Sequence, residues 1–243
     1  MQHSHAAALV PHDYPISARP ELLGPAEALS GYDRWSRGYD GDGSPVMEAS
    51  AWVLDRSTLV CGDCDVVELG CGTARHAARV LGEGARSYTG VDGSIGMLHL
   101  AGSRPHDPRA SFVHADLMQP WAPQRTFDLA LVVLVLEHLP SLEPLCETLA
   151  RVVRPGGRVR IIDLHPERIA SGVQAYFHDG ATEVRFASRA HPVPALSMGL
   201  EAAGFDVVRR DWLASDAMVT AVPRLLGLRG VRVLIDMKAV RRR

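Results

Sequence analysis

Short apolar runs alternate with helical stretches between residues 65 and 164, and this alternation limits the fold more than any other feature of the sequence. The apolar runs, which predict strands, are Val66–Leu69, Tyr88–Val91, Phe112–Ala115, Phe127–Val133 and Arg158–Leu164. The stretches between them that predict helices are Thr73–Leu81, Ile95–Ala101 and Leu142–Val153. Strands that are apolar on both faces and alternate with helices predict a parallel sheet with helices packed on each side.

The C-terminal part of the chain follows a different pattern. A helix is predicted over Leu196–Ala203 and ends at Gly204, and strands are predicted over Phe205–Leu213 and Val231–Met237. No clear crossover helix separates these two strands, which favours an antiparallel pair at one edge of the sheet. The predicted fold is therefore α/β: a doubly wound sheet of seven strands, mostly parallel, with an antiparallel edge strand and helices on both faces.

Length and composition indicate one domain preceded by a lead-in. The chain has 243 residues, a net charge of −2 and 47% hydrophobic residues, which excludes a disordered chain and a polycation that wraps nucleic acid. Residues 1–30 contain four prolines and are predicted to be loosely structured. Residues 31–243 are predicted to form a single domain, and its first long helix is predicted to begin at Pro45.

The sequence predicts neither a membrane segment nor a metal site. The longest apolar run, Leu129–Leu136, is far shorter than the ~20 residues that cross a bilayer, so we expect a cytoplasmic protein without a membrane partner. Cys61 and Cys64 form a lone C-x-x-C pair, and the second pair of ligands that zinc would need does not follow. We therefore interpret the cysteines as ordinary turn and core residues.

The segment Glu68–Ala74 joins the first strand of the alternating region to its first helix. Its glycines at 70 and 72 allow a tight turn and the close approach of a ligand, and ligands in open α/β sheets bind outside the carboxyl ends of the strands. A dinucleotide is one candidate. However, Arg75 stands where the dinucleotide fingerprint requires glycine, and Glu68 would repel a pyrophosphate. A ligand that carries an ammonium or a sulfonium fits this segment better.

Three carboxylates, Glu68, Asp92 and Asp116, follow the ends of successive strands at intervals of 24 residues. Because parallel strands end at the same edge of a sheet, we expect these side chains to lie side by side. Asp92 is then placed to accept hydrogen bonds from both hydroxyls of a ribose, and Asp116 from an exocyclic amine such as that of adenine. A single aspartate at such a position is more often a turn or a helix cap, but three in phase favour a nucleoside site.

Five segments together resemble class I S-adenosylmethionine-dependent methyltransferases: Val66–Ala74, Val91–Ser94 with Met97, His114–Asp116, Phe127–Leu129 and Val153–Gly157. The resemblance spans about residues 32–238 and is greatest to the small-molecule group that includes the ubiquinone-type (methyltransferase type 11-like) enzymes. It implies a Rossmann-like fold and S-adenosylmethionine as the cofactor. One departure is Ala74, which stands where the family often has a third glycine and which narrows the loop slightly.

The resemblance also implies which residues bind the cofactor. The implied contacts are Glu68, Gly70 and Gly72 to the methionine end, Asp92 and Gly93 to the ribose, Asp116 and Leu117 to the adenine, Met97 on the adenine face, Leu134 at the pocket wall and Tyr39 above the cofactor. Tyr39 belongs to a segment that resembles the family's N-terminal Tyr-Asp segment, so residues 31–57 are predicted to form a lid. A tyrosine that merely packs on the surface is the alternative interpretation.

A sulfonium methyl group is electrophilic, so in-line (SN2) alignment of a nucleophile supplies most of the catalysis and a general base adds less. Histidine titrates near working pH and is the candidate for that base. We predict His165, at the end of the fifth strand, and then His138, after the fourth, as catalytic residues; a structural histidine is the alternative for each. Residues 166–194 are predicted to form a substrate wall, although core packing explains their aromatic residues equally well.

The predicted reaction is methyl transfer to an oxygen, nitrogen or carbon of a small organic metabolite, as in specialised metabolism. Nucleic-acid amino-methyltransferases of this fold carry an Asn/Asp-Pro-Pro-aromatic motif after strand four, whereas this chain has Val135–His138 there. We therefore expect no nucleic-acid partner, and either a monomer or a homodimer. A tRNA or protein methyltransferase, a nicotinamide-dependent dehydrogenase and a cofactor-binding protein without activity stay open as alternatives.

Overall fold

Every apolar run predicted as a strand forms one in the computed structural model, which describes residues 19–41, 43–56, 59, 62–103 and 107–243. The strands are β1 (Glu21–Leu23), β2 (Asp65–Leu69), β3 (Ser87–Asp92), β4 (Ala110–His114), β5 (Phe127–Val133), β6 (Val153–Leu164), β7 (Tyr176–Asp179), β8 (Thr182–Phe186), β9 (Phe205–Leu213) and β10 (Arg232–Arg241). The helices are α1 (Ala28–Trp35), α2 (Pro45–Leu54), α3 (Ala77–Gly82), α4 (Ile95–Ser103), α5 (Glu143–Val152), α6 (Pro166–Ala170), α7 (Val193–Ala202) and α8 (Asp216–Ala221).

Seven of these strands form one sheet in the order β4–β3–β2–β5–β6–β10–β9. The pairs from β4 to β6 are parallel, and β10 pairs antiparallel with both β6 and β9. The predicted α/β fold, a mostly parallel sheet with antiparallel pairing at one edge, is confirmed. The reversed strand, β10, lies one position inside that edge, and β9 is outermost.

The two faces of the sheet contribute to two separate cores. In β5, Leu129 and Leu131 belong to the core that contains α2, α3 and α8, whereas Ala130 and Val132 belong to the core that contains α5 and α7. Successive side chains of a strand point to opposite faces, so a strand buried on both sides must be apolar throughout. This is why the sequence shows continuous apolar runs, and it confirms the predicted helices on both faces.

A second, three-stranded sheet of order β1–β8–β7 lies with α1 outside the main sheet. We call residues 21–41 together with β7 and β8 the cap. Its own small core buries Trp35, Phe177 and Phe186. The expectation that residues 1–30 are loosely structured is therefore wrong for residues 21–30, because the partner of β1 lies far along the chain in β8. Residues 1–18 lie outside the described residues.

The predicted lid segment, residues 31–57, divides between two places. Residues 31–41 belong to the cap, whereas α2 packs beneath the sheet against β6 and β10. Helix α3 begins at Ala77 rather than at Thr73, because Ala74 has a left-handed φ of 56° that a helix cannot contain. A short helix, α8, lies between β9 and β10, where no helix was predicted.

The structure adds three observations on cysteines, membranes and metals. Cys71 and Cys146 are buried free thiols, Cys64 is buried, and Cys61 lies outside the described residues. Within the described ranges, no helix is long and apolar enough to cross a membrane. In the same part of the chain, no group of three or more His, Cys, Asp or Glu side chains is arranged to hold a metal ion.

Candidate active site

A pocket lies at the carboxyl ends of β2 to β5, between the main sheet and the cap. The ten residues predicted to bind the cofactor all line it: Tyr39, Glu68, Gly70, Gly72, Asp92, Gly93, Met97, Asp116, Leu117 and Leu134. His138 lines it as well. Residues 166–194, all of which the structure describes, do not line this pocket. Phe177 and Phe186 are instead buried in the core of the cap, which agrees with the alternative that these aromatic residues serve core packing.

The loop between β2 and α3 turns sharply beneath the pocket. Gly70 and Gly72 have φ values of 74° and 53°, which glycine adopts without strain. The amides of Gly70 and Cys71 donate to the carbonyl of Val91 over 2.8 and 3.0 Å, and these bonds fix the loop against β3. A Cβ atom on Gly70 would lie 2.4 Å from Cγ2 of Val135, so the loop has no room for a side chain at that position.

Two carboxylates stand beside this loop. Oδ2 of Asp92 accepts a hydrogen bond from the amide of Gly72 over 2.7 Å, and Oδ1 accepts one from the amide of Ser94 over 2.8 Å. Burial raises the pKa of Asp92, and the two amides oppose that shift because they donate to the ionised form. Oδ1 of Asp116 accepts from the amide of Met118 over 2.9 Å. Each carboxylate oxygen can accept a further bond, so both side chains can bind ligand donors.

The third carboxylate, Glu68, is 1% exposed and already has two side-chain partners. Its Oε1 lies 2.7 Å from Nδ1 of His76, and its Oε2 accepts a hydrogen bond from the hydroxyl of Tyr88 over 2.5 Å. His76 lines the pocket together with Glu68. The negative charge at the end of β2 is therefore part of a hydrogen-bonded group of three side chains.

The cap is tied to the glycine loop by Tyr39 and its neighbour. A Cβ atom on Gly72 would lie 3.9 Å from Cε1 of Tyr39, which puts the tyrosine ring against the loop. The ring packs edge-on to Trp35 with 4.9 Å between centroids, and the Thr73 hydroxyl donates to Oδ1 of Asp40 over 2.8 Å. Burial raises the pKa of Tyr39, so its hydroxyl remains protonated at neutral pH.

Comparison with known proteins supports a methyltransferase. A family model described as a methyltransferase domain matches residues 66–157. An uncharacterised methyltransferase of Emericella nidulans is 27% identical over 75% of this chain and 77% of its own length. The 27-O-demethylrifamycin SV methyltransferase of Amycolatopsis mediterranei is 28% identical over 56% of this chain and 53% of its own length. The crystal structure of an S-adenosylmethionine-dependent methyltransferase from Mesorhizobium loti matches with a TM-score of 0.66 at 23% identity, over 82% of this chain and 99% of that one. Residues 66–157 therefore match a methyltransferase domain, and these comparisons support a class I S-adenosylmethionine-dependent methyltransferase.

S-adenosylmethionine is the cofactor of this methyltransferase, and the pocket has the chemistry to bind it. Asp92 and Asp116 offer acceptors for ribose hydroxyls and an adenine amine, and the glycines leave room for close approach. The carboxylates also match the positive charge of a sulfonium. The assignment of each residue to a part of the cofactor stays a prediction.

The loop after β5 forms a further part of the pocket wall in this methyltransferase, and its Val135 packs against Gly70. Leu134 has a left-handed φ of 57°, a conformation that costs a non-glycine residue of order 1–3 kcal/mol and is typical of functional sites. Asp163, on β6, holds the loop, since its Oδ2 accepts from the amides of Val135 and Leu136, each over 2.8 Å. Burial raises the pKa of Asp163 to about 7.

His138, at the end of that loop, lines the pocket next to the cap. Its Nε2 lies 2.7 Å from the hydroxyl oxygen of Tyr32, and its ring packs edge-on to Phe186 with 5.6 Å between centroids. Burial lowers the pKa of His138 to about 4, so the imidazole is neutral at pH 7 and one of its nitrogens can accept a proton. Burial raises the pKa of Tyr32, which keeps its hydroxyl protonated.

The structure corrects the prediction that His165 is the first candidate base, because this side chain does not line the pocket. His165 is the N-cap of α6, and its Nδ1 accepts a hydrogen bond from the amide of Glu167 over 3.3 Å. Its Nε2 lies 3.9 Å from Oδ1 of Asp211 on β9, towards the outer edge of the sheet. These contacts favour the alternative, a structural histidine.

Sequence reasoning missed several polar pocket residues, among them Tyr32 and His76. The spacing of Ala28, Tyr32 and Trp35, which are four and then three residues apart, is a helical pattern that predicts α1 and puts Tyr32 on its buried face. No comparable local signal exists for His76, because its hydrogen bond to Glu68 depends on how the loop turns.

Proposed function

We propose that this methyltransferase transfers the methyl group of S-adenosylmethionine to an oxygen, nitrogen or carbon nucleophile of a small organic metabolite, as in specialised metabolism. The observation that carries the proposal is the pocket in which the glycine loop, Asp92, Asp116 and Tyr39 come together. When bound, the cofactor supplies an electrophilic methyl group on its sulfonium. A cytoplasmic location and a monomeric or homodimeric state are part of the same proposal.

The acceptor side of the pocket favours a small molecule. The cap covers the pocket with α1, and the residues nearest that helix and the loop after β5 are largely apolar: Ala28, Leu29, Met118 and Leu139. A covered, apolar pocket admits a compact organic molecule more readily than a folded protein or an RNA. The rifamycin-type methyltransferase of Amycolatopsis mediterranei, which is named for an organic acceptor, supports the same class of substrate.

His138 is the base that we assign to the reaction. Alignment of the reacting atoms supplies about 7–11 kcal/mol, and a general base adds roughly 3–5 kcal/mol. A hydroxyl oxygen that has gained a methyl group is a strong acid, so even a base with a pKa of about 4 can remove its proton. The hydroxyl oxygen of Tyr32 lies 2.7 Å from Nε2 of His138 and both residues line the pocket, so in the tautomer whose Nε2 is unprotonated the pair provides a path for that proton.

The test is incubation of the protein with radiolabelled S-adenosylmethionine and fractionated extract of the source cell. We expect label in the small organic fraction with the wild type, and none with Asp92→Ala, which removes the predicted ribose acceptor. His138→Gln should reduce the labelling rate by about 10²–10⁴-fold without a loss of cofactor binding. Label that entered tRNA or protein instead would refute the small-molecule proposal and favour the alternative acceptors.

A further inference from the structure

The imidazole of His76 has one nitrogen in a strong hydrogen bond and one without a partner. Nδ1 lies 2.7 Å from Oε1 of Glu68, whereas Nε2 is buried and has no hydrogen-bond partner among the described residues. The residue is 7% exposed and lines the pocket. A buried polar atom without a partner destabilises the folded protein, so a ligand that satisfies Nε2 gains free energy on binding.

The order of the strands indicates which part of the cofactor lies near His76. Asp116 follows β4, Asp92 ends β3 and Glu68 lies near the end of β2, and these three strands are neighbours in the sheet. With adenine at β4 and ribose at β3, the amino-acid end of the cofactor, which is attached beyond the ribose, reaches the end of β2. Glu68 and His76 lie there.

The hydrogen bond to Glu68 determines what Nε2 can do. A carboxylate only accepts, so Nδ1 donates to Glu68, and in the neutral form of the imidazole Nε2 then has a free lone pair. The amino-acid end of the cofactor carries an α-ammonium, which donates, and an α-carboxylate, which accepts. Only the ammonium matches an acceptor, and the nearby charge of Glu68 favours the same group. Arg75, which also lines the pocket, has the charge that suits the α-carboxylate.

We propose that His76 is a further cofactor-binding residue, whose Nε2 accepts a hydrogen bond from the α-ammonium, and that Glu68 acts as its positioning residue by fixing the tautomer. The proposal rests on the proposed function and on the predicted placement of ribose at Asp92 and adenine at Asp116. It changes the role of Glu68, since this carboxylate acts through the imidazole in addition to its charge.

The test compares two ligands that differ only in the α-amino group: S-adenosylhomocysteine and its deaminated analogue. The measured quantity is the ratio of their dissociation constants, obtained by calorimetry. His76→Asn keeps a donor at the position of Nδ1 and removes Nε2, and we expect it to reduce the preference for S-adenosylhomocysteine at least tenfold. The affinity for the deaminated analogue should stay within twofold of the wild type.

Tyr88→Phe is the matched control, because it removes the other side-chain partner of Glu68 from a residue that does not line the pocket. It should leave the preference within twofold of the wild type. An unchanged preference in His76→Asn, or an equal loss for both ligands, would overturn the proposal while the proposed function stands.

Folding of each variant is checked by thermal unfolding, and His76→Ala, measured in the same way, replaces His76→Asn if that variant does not fold. A decarboxylated analogue, which keeps only the amino group, separates the two ends of the amino acid. We expect the His76 substitution to weaken binding of this decarboxylated analogue as well. If the substitution left its dissociation constant unchanged, His76 would be assigned to the α-carboxylate and the proposal would be overturned. Failure of the wild type to bind S-adenosylhomocysteine would refute the proposed function itself.

Discussion

Gly70 combines two restrictions in one residue, a left-handed backbone and a close neighbour. Ala at this φ of 74° costs about 1–2 kcal/mol, and a Cβ atom 2.4 Å from Cγ2 of Val135 adds overpacking of about 1–3 kcal/mol. We expect Gly70→Ala to lower the free energy of unfolding by about 2–5 kcal/mol and to weaken S-adenosylhomocysteine binding at least tenfold. Denaturant unfolding and calorimetry measure the two effects.

Gly82 is the matched control for that substitution. It lies at the exposed end of α3 and has no positive φ, and a Cβ atom added there would meet no heavy atom of the described residues within 4 Å. Gly82→Ala should leave binding unchanged and raise stability by roughly 0.5–1 kcal/mol, since alanine loses less backbone entropy than glycine. Equal losses in both variants would show that the loop has no special geometric requirement.

The sequence predicts which side chains lie at the strand ends. It does not predict which way a side chain in the following loop points. Asp92 and Asp116 line the pocket because parallel strands end at one edge, which the pattern alone establishes. His165 also follows a strand, but it caps α6 and so turns away from the pocket. His76 could not be predicted, because its contact with Glu68 is made by the turn of the loop rather than by any period in the sequence.

At the scale of elements, the cap depends on the stacking of Phe186 against α1. Phe186 is 1% exposed, and its ring stacks on Tyr32 with 4.7 Å between centroids. Phe186→Ala should cost about 3–5 kcal/mol of packing in the cap core. We expect faster amide exchange in α1 and β8, unchanged exchange in β2 and β5, and weaker cofactor binding because Tyr39 loses its support.

Tyr176→Ala is the control in the same hairpin, because that ring is 38% exposed. Its exchange pattern and cofactor affinity should match the wild type. If Phe186→Ala instead accelerated exchange throughout the main sheet, the cap would not be a separate unit of stability.

The elements of the main sheet could be predicted because each strand is buried on both faces and is therefore apolar without interruption. The cap could not be predicted from the sequence, because β1 has only three residues and is stabilised by its pairing with β8. The same reason explains why β10 was not assigned to its place between β6 and β9: periodicity specifies a strand but not its neighbour.

For the molecule as a whole, His138 makes stability depend on pH. Its pKa is about 4 in the folded protein and about 6.5 when unfolded, so the unfolded chain takes up a proton first as pH falls. The contribution of His138 to the free energy of unfolding is complete above pH 6.5. It is lost progressively towards pH 4, by about 3 kcal/mol. Asp163, whose pKa is raised to about 7, contributes in the opposite sense over the same range. The quantity to measure, by denaturant unfolding at several pH values, is therefore the difference in free energy of unfolding between the wild type and His138→Gln, which should fall by about 3 kcal/mol between pH 6.5 and pH 4.

His178→Gln, at an exposed position in the cap, serves as the control and should keep the wild-type dependence on pH. A His138→Gln protein with the full wild-type dependence would contradict the neutral state assigned to this imidazole.

Cofactor binding should also stabilise the whole molecule. A ligand at a hundred times its dissociation constant adds about 2.7 kcal/mol to the folded state, which corresponds to roughly 5–10 °C in Tm for a chain of this size. We expect S-adenosylhomocysteine to give such a shift in calorimetry and NADH to give none. A rise in Tm with NADH but not with S-adenosylhomocysteine would support the dehydrogenase alternative.

The pairing of β1 with β8 has a consequence for biosynthesis. During translation, the four strands at the pocket edge, β2 to β5, leave the ribosome before the hairpin of residues 176–186 does. The sheet that supports the pocket is therefore synthesised before the cap that covers it. A nascent chain that stops short of Tyr176 has no partner for β1 and leaves the aromatic face of α1 open to solvent. The enclosed form of the pocket is therefore reached late in synthesis.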